Sequence, residues 1–195
     1  MIKVLSVVVL ICFWTLTLFA NPKTIVELGK GDGHVDFHAI GNPSSLKIHG
    51  VGGKPTGQII VEENKVYGTI IFLLDTLDTK IKLRNEHTKK KYLEIDKYPE
   101  ARLEITEVKF PGPIPKGDFS LDNLSFQGKL TVHGVTKPVV GKTKIEREGN
   151  TISVEAGFTI KVIDFNIKTP SFAGITMADN VNIEAVFTAP STTVK

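Results

Sequence analysis

From His34 onward the chain alternates. Val35, Phe37 and Ala39 interleave with His34, Asp36 and His38, and the pattern returns at Leu46 and Ile48, at Ile59 and Val61, and through Val66, Ile70, Phe72 and Leu74 with Gly68 in register. It recurs at Leu103 with Ile105, Leu130 with Val132, Phe158 with Ile160 and Val162, and along Val181, Ile183, Ala185 and Phe187. Successive side chains on a strand point to opposite faces, so each run predicts a strand with one apolar face. The pieces between them, such as Gly29 to Gly33, Gly41-Asn42-Pro43, Gly52-Gly53-Lys54-Pro55 and Glu148-Gly149-Asn150, carry the Gly, Asn and Pro that turns require. Eight or so strands at short intervals predict an all-β sandwich or barrel, and closure into a barrel removes exposed edges.

Two stretches break the rhythm. Between Lys80 and Lys97, Ile81, Leu83, Tyr92 and Leu93 are scattered among charges that include Lys89-Lys90-Lys91, which predicts a short helix or helical turn. It ends before Tyr98-Pro99, because a residue preceding proline is pushed out of the helical region. Pro111 to Gly117 holds three prolines and reads as a surface loop.

The first residues differ in kind. Lys3 is followed by an uncharged apolar run from Val4 to Phe19, then Ala20 and the polar Asn21-Pro22-Lys23. This is the pattern of a secretory signal cleaved after Ala20, with an uncleaved membrane helix as the alternative; either places the folded part outside the cytoplasm, periplasmic or secreted. The single cysteine, Cys12, falls inside this run, so the 175 residues from Asn21 onward form one domain with no disulfide. Without residues 1–20, the basic count falls by Lys3 alone to 23 against 21 acids, a formal +2. That balance gives no basis for binding nucleic acid, which asks for a clustered basic stripe.

Candidate chemistry is sparse. His34, Asp36 and His38 share one face of a strand, but His34 and His38 lie roughly 13 Å apart along it, too far to share one metal ion without a second strand. A solvated polar face is the simpler account. His133 before Gly134 and His49 before Gly50 read as turn residues. No nucleophile elbow, zinc-protease motif or phosphate loop is present, and the sequence suggests no enzyme, metal or cofactor.

Several segments carry a resemblance. Leu77-Asp78-Thr79, Arg84-Asn85-Glu86-His87, Tyr92-Leu93 and Lys97-Tyr98-Pro99-Glu100-Ala101 follow one another in an order that resembles the middle signature of the YceI-like family. Gly128 to Pro138 resembles its second signature, and Asp164-Phe165-Asn166-Ile167 with Asp179 to Ile183 a third. The similarity runs from about His34 to Phe187, departing from the usual pattern around the Gly- and Pro-rich stretch Ile40–Gly57.

The resemblance implies a lipocalin-like, extended eight-stranded antiparallel β-barrel with a short helix near one mouth, and a pore that takes a polyisoprenoid or isoprenoid quinone. The inward set would be Phe37, Phe72, Leu74, Leu103, Leu130, Phe158 and Phe187. From the residues alone these form a packed core as readily as the wall of a pore. At the mouth, Arg84 and His87 share a face of a helical turn, where they would hold a polar head group, with Asp78 beside them. Equally, Arg84 would pair with Asp78 to pin the helix, or Asp78-Thr79 would cap it. The expected role is an exported carrier or scavenger of a long-chain isoprenoid lipid. The alternatives are an enzyme of lipid chemistry using Arg84 and His87, or a domain acting only through its surface. Lys89–Lys91 would make transient contact with a membrane surface, and the sequence leaves open a homodimer.

Overall fold

A computed structural model describes residues 22–42, 47–169, 171–172 and 175–194. The anticipated leader, with Cys12 and Ala20, lies outside them, as does Leu46. Eleven strands are present among the described residues: β1 (Lys23–Glu27), β2 (Asp32–Asn42), β3 (Lys47–Gly52), β4 (Thr56–Glu62), β5 (Lys65–Leu73), β6 (Glu100–Lys109), β7 (Phe119–Val132), β8 (Val135–Glu148), β9 (Thr151–Lys161), β10 (Ser171–Phe172) and β11 (Ile175–Val194).

Their pairing resolves into eight ribs. β1 lies between β11 and β4, while β2 lies between β11 and β3. β1 and β2 are thus one rib broken by a single 3-10 turn at Leu28–Lys30, and β3 and β4 are its partner, broken at Gly53–Pro55. From there β5, β6, β7, β8, β9 and β11 follow, each antiparallel to the last, and β11 returns to β1 and β2. The result is a closed eight-stranded antiparallel barrel. Such a barrel is just wide enough to be filled by side chains or to hold one slender ligand.

The anticipated count of eight is correct, but its membership differs. The runs at Ile48 and at Ile59–Val61 belong to a single rib. β8 escaped because its inward positions are Val139, Gly141, Thr143 and Ile145, so half of them give no apolar signal.

The helical segment is α1 (Lys82–Glu86), continued by a π-type turn over His87–Tyr92. It ends well before Tyr98-Pro99, as the proline requires. The proline-rich stretch is a loop, as expected, and it closes the opposite end of the barrel. There the Ile114 N–H donates to Asn64 Oδ1 at 3.0 Å, and Phe110 and Ile114 pack on the interior cluster.

Candidate functional site

The upper half of the barrel, under α1, encloses a cavity of about 510 Å³. That falls within the range of roughly 300–1,000 Å³ usual for small-molecule sites. Alternation supplies its wall. Val35, Phe37 and Ala39 come from β2, Ile70 and Phe72 from β5, Leu130 and Val132 from β7, Phe158 and Ile160 from β9, and Ile183 and Ala185 from β11. Polar side chains among the lining residues, Arg84, His87, Thr88, Tyr92 and Ser171, belong to the helical segment and the strand end opposite it.

Two of the aromatic walls exist because the facing rib lacks side chains. A Cβ on Gly50 would stand 2.0 Å from the Phe37 ring, and one on Gly52 would stand 2.1 Å from the Phe72 ring. These two glycines therefore let both rings lie against the wall instead of filling the lumen.

The cavity is blind. Below it, Val66, Val108, Leu124 and Phe126 form a buried cluster that packs against Leu103 and Phe158 from above and against Ile59, Val61 and Ile145 from below. Phe126 is 2 % exposed and meets Phe158 edge-on, with ring centroids 6.0 Å apart. A Cβ on Gly141 would come within 2.4 Å of the Phe126 ring, so this glycine gives the ring its seat. Beyond the cluster a second space of only about 80 Å³ remains.

Eight of the ten anticipated residues, Phe37, Phe72, Leu74, Arg84, His87, Leu103, Leu130 and Phe158, line the upper cavity. Phe187 does not. It lies one turn of the pleat below Ala185 and lines the small lower space. Asp78 is also absent from the lining, because its carboxylate is engaged elsewhere: it accepts from Asn85 Nδ2 at 2.8 Å and from the Lys80 N–H at 2.7 Å. The Asn85 bond, then those from Lys80, hold this carboxyl down to about 2.

Arg84 does pin the helix, but through Thr79. Its Nε donates to Thr79 Oγ1 and its Nη2 to the Thr79 carbonyl, both at 3.0 Å. Two of the five guanidinium N–H groups are used in this way. Thr79, itself buried, donates both its N–H and its hydroxyl to Asn85 Oδ1, so the Asp78-Thr79 pair ties to the body of α1 and makes no side-chain cap at its first turn. The same segment closes the barrel, for Asp78 and Val51 exchange backbone hydrogen bonds of 2.9 and 2.7 Å.

Other contacts fasten the mouth. Tyr92 spans it, with its hydroxyl 3.3 Å from both the N–H and the carbonyl of Ser171. His133 occupies a two-residue turn with Gly134, both at positive φ (51° and 75°), as a tight hairpin needs. It does more than turn the chain: its Nε2 lies 2.6 Å from Glu94 Oε2 and its Nδ1 3.2 Å from the Phe165 carbonyl, while its ring packs on Tyr98. His49, by contrast, is no turn residue. It sits in β3 opposite His38, stacks on it at 4.5 Å and reaches Asp36 at 3.1 Å, on the barrel's outer face.

The YceI-like domain profile matches residues 30–189. Among curated relatives, the UPF0312 proteins of Yersinia pestis (strain Pestoides F) and Photorhabdus laumondii are 36% and 37% identical, over 51% and 54% of this chain. The chain spans about half the length of the curated relatives it matches, 51% and 53% of theirs. Among solved structures, BcnA of Burkholderia cenocepacia aligns with a TM-score of 0.65 at 18% identity, covering 80% of this chain and 96% of that one. A polyisoprenoid-binding domain from Saccharophagus degradans aligns at 0.62 and 13% identity, covering 89% and 100%. At such identities these two establish the shared barrel. With the profile running from the end of the first 3-10 turn nearly to the end of β11, this chain belongs to the YceI-like domain family.

Proposed function

We propose that the protein binds an isoprenoid-type lipid tail in the upper cavity, and that it acts as an exported carrier or scavenger of that lipid. The observation that carries this reading is the cavity itself: hollow, lined by apolar side chains from most of the ribs, and polar only at its rim. The aligned polyisoprenoid-binding domain of Saccharophagus degradans supports it, and the composition of residues 1–20 supports export.

Energetics define what such a site does. Burying a methylene from water is worth about 0.8 kcal/mol, but a lipid comes from a membrane, and moving its tail between two apolar surroundings gains little. Affinity for one lipid over another then rests on cavity shape and on polar contacts to the head group. Arg84, with N–H groups left beyond its Thr79 bonds, and Thr88 supply donors at the rim. Ile81 and Leu83 are about half exposed beside Lys82 and the Lys89–Lys91 run, so the rim also presents the apolar and basic mixture that suits brief contact with an anionic bilayer.

Organic extraction of the purified protein followed by mass spectrometry tests the reading. A long apolar lipid is expected from the wild type and none from a folded Phe158→Asp variant, which places a charge in the cavity floor. A clean wild-type extract, with no uptake of added prenyl lipid, would sink it.

A further inference from the structure

Arg84 is half-buried at the rim of the upper cavity, and among the described residues no other Lys or Arg side chain lines it. Its bonds within the protein go to neutral oxygens, the hydroxyl and the carbonyl of Thr79. They use the Nε–Nη2 edge of the guanidinium. The Nη1–Nη2 edge remains, and its parallel N–H groups match two oxygens of one anion. Thr79 is itself buried and donates its hydroxyl to Asn85 Oδ1, which fixes the lone pair that receives Arg84 Nε.

The charge of Arg84 is not balanced by its own segment. Of the acids from Asp78 to Asp96, Asp78 is engaged by Asn85 and Lys80, Glu94 by His133 and Asp96 by Lys90. Glu86 is exposed and stands two residues from Arg84, a spacing at which side chains on a helix do not face each other. From Lys80 to Lys91 the chain carries six Lys or Arg residues against Glu86 alone, so this side of the mouth is positive.

We infer that the lipid this cavity takes carries an anionic head, a carboxylate or a phosphate, gripped by the remaining edge of Arg84. This rests on the lipid-binding reading above and narrows it to a class of head group. A bound lipid displaces water from the rim, and a quinone, alcohol or amide head then leaves the guanidinium desolvated without a counter-charge. An anion supplies that charge together with a pair of charge-assisted hydrogen bonds, each roughly twice as strong as a neutral one. Thr79 and Asn85 hold the guanidinium in place before the ligand arrives, so little side-chain freedom is lost on binding.

The test is calorimetric binding of farnesol, farnesoic acid and farnesyl phosphate, which share one tail and differ in the head, to delipidated protein. In the wild type at least one of the two anions should bind about tenfold or more tightly than the alcohol, and the better of them tells carboxylate from phosphate. In Arg84→Gln that ratio should fall to within about threefold of one. Because Arg84 also ties α1 to Thr79, Thr88→Glu provides a second route. Thr88 follows Arg84 by four residues and lines the same cavity, so a carboxylate there neutralises the guanidinium and should collapse the ratio as well. A helix that is merely loosened weakens all three ligands alike and leaves the ratio where it was. Equal affinity for the alcohol and both anions in the wild type overturns the anionic head while leaving lipid binding intact. So does a ratio that survives in folded Arg84→Gln, or in Thr88→Glu where Arg84→Gln does not fold. No binding of any of the three by the wild type overturns both.

Discussion

The upper and lower halves of this barrel share their strands, their alternation and their hydrophobic composition, yet one is hollow and the other is full. In the upper half, Gly50 and Gly52 let Phe37 and Phe72 lie against the wall. In the lower half a glycine seats a ring in the same way: Gly141 is the cross-strand neighbour of both Phe126 and Phe158, and the two rings meet edge-on beside it. What differs is the company the rings keep: Val66, Val108 and Leu124 pack with Phe126, whereas Phe37 and Phe72 border the cavity.

Substitutions that treat the halves differently sharpen this contrast. The largest stability effect is expected in the filled half. Phe126→Ala should cost about 3–5 kcal/mol in urea unfolding, the range for deleting a fully buried Phe, whereas Phe72→Ala, whose ring already borders empty space, should cost clearly less. Equal losses at the two sites would show the upper half to be as tightly packed as the lower.

Next in size is Gly52→Val. It drives the Phe72 ring inward, and overpacking of this kind costs about 1–3 kcal/mol. The folded variant should lose most of its binding of farnesyl diphosphate, seen by calorimetry; unchanged binding would mean that Phe72 finds room elsewhere. A smaller effect is expected at the mouth. Tyr92→Phe removes the hydroxyl that meets Ser171, at about 0.5–1.5 kcal/mol, and should speed ligand release in a stopped-flow chase.

The smallest effect is confined to acid. Asp78 holds its carboxyl at about 2 against an ordinary 3.8, so between those values the unfolded chain binds the proton that the folded one refuses. Its contribution to stability is therefore complete above about pH 3.8 and disappears as pH falls toward 2. Asp78→Asn should flatten that portion of the melting-temperature curve and leave its slope between pH 5 and 7 unchanged.

What the sequence determined by itself was the inward face of most ribs, since a period of two needs no knowledge of neighbours. Phe37, Phe72, Leu103, Leu130 and Phe158 were legible in this way, and the signature around Arg84 and His87 marked the mouth. The lower half was harder to read because bulges reverse the parity. The β6–β7 register shifts between Ile105 and Glu107, and the β7–β8 register between Leu121 and Leu124, so Val108 on β6 and Leu121 on β7 face the interior out of step with the alternation above them, while Leu124 and Phe126 keep the parity of Leu130. The partner of Arg84 was not legible either, since Asp78 and Thr79 are adjacent in the chain and only the turn at Lys80 decides which of them faces the guanidinium. Above all, tertiary structure decided where the barrel is empty. An apolar residue facing inward has the same pattern whether it lines a void or fills one, and the difference depends on which side chains stand across the lumen and which glycine stands beside it on the neighbouring strand.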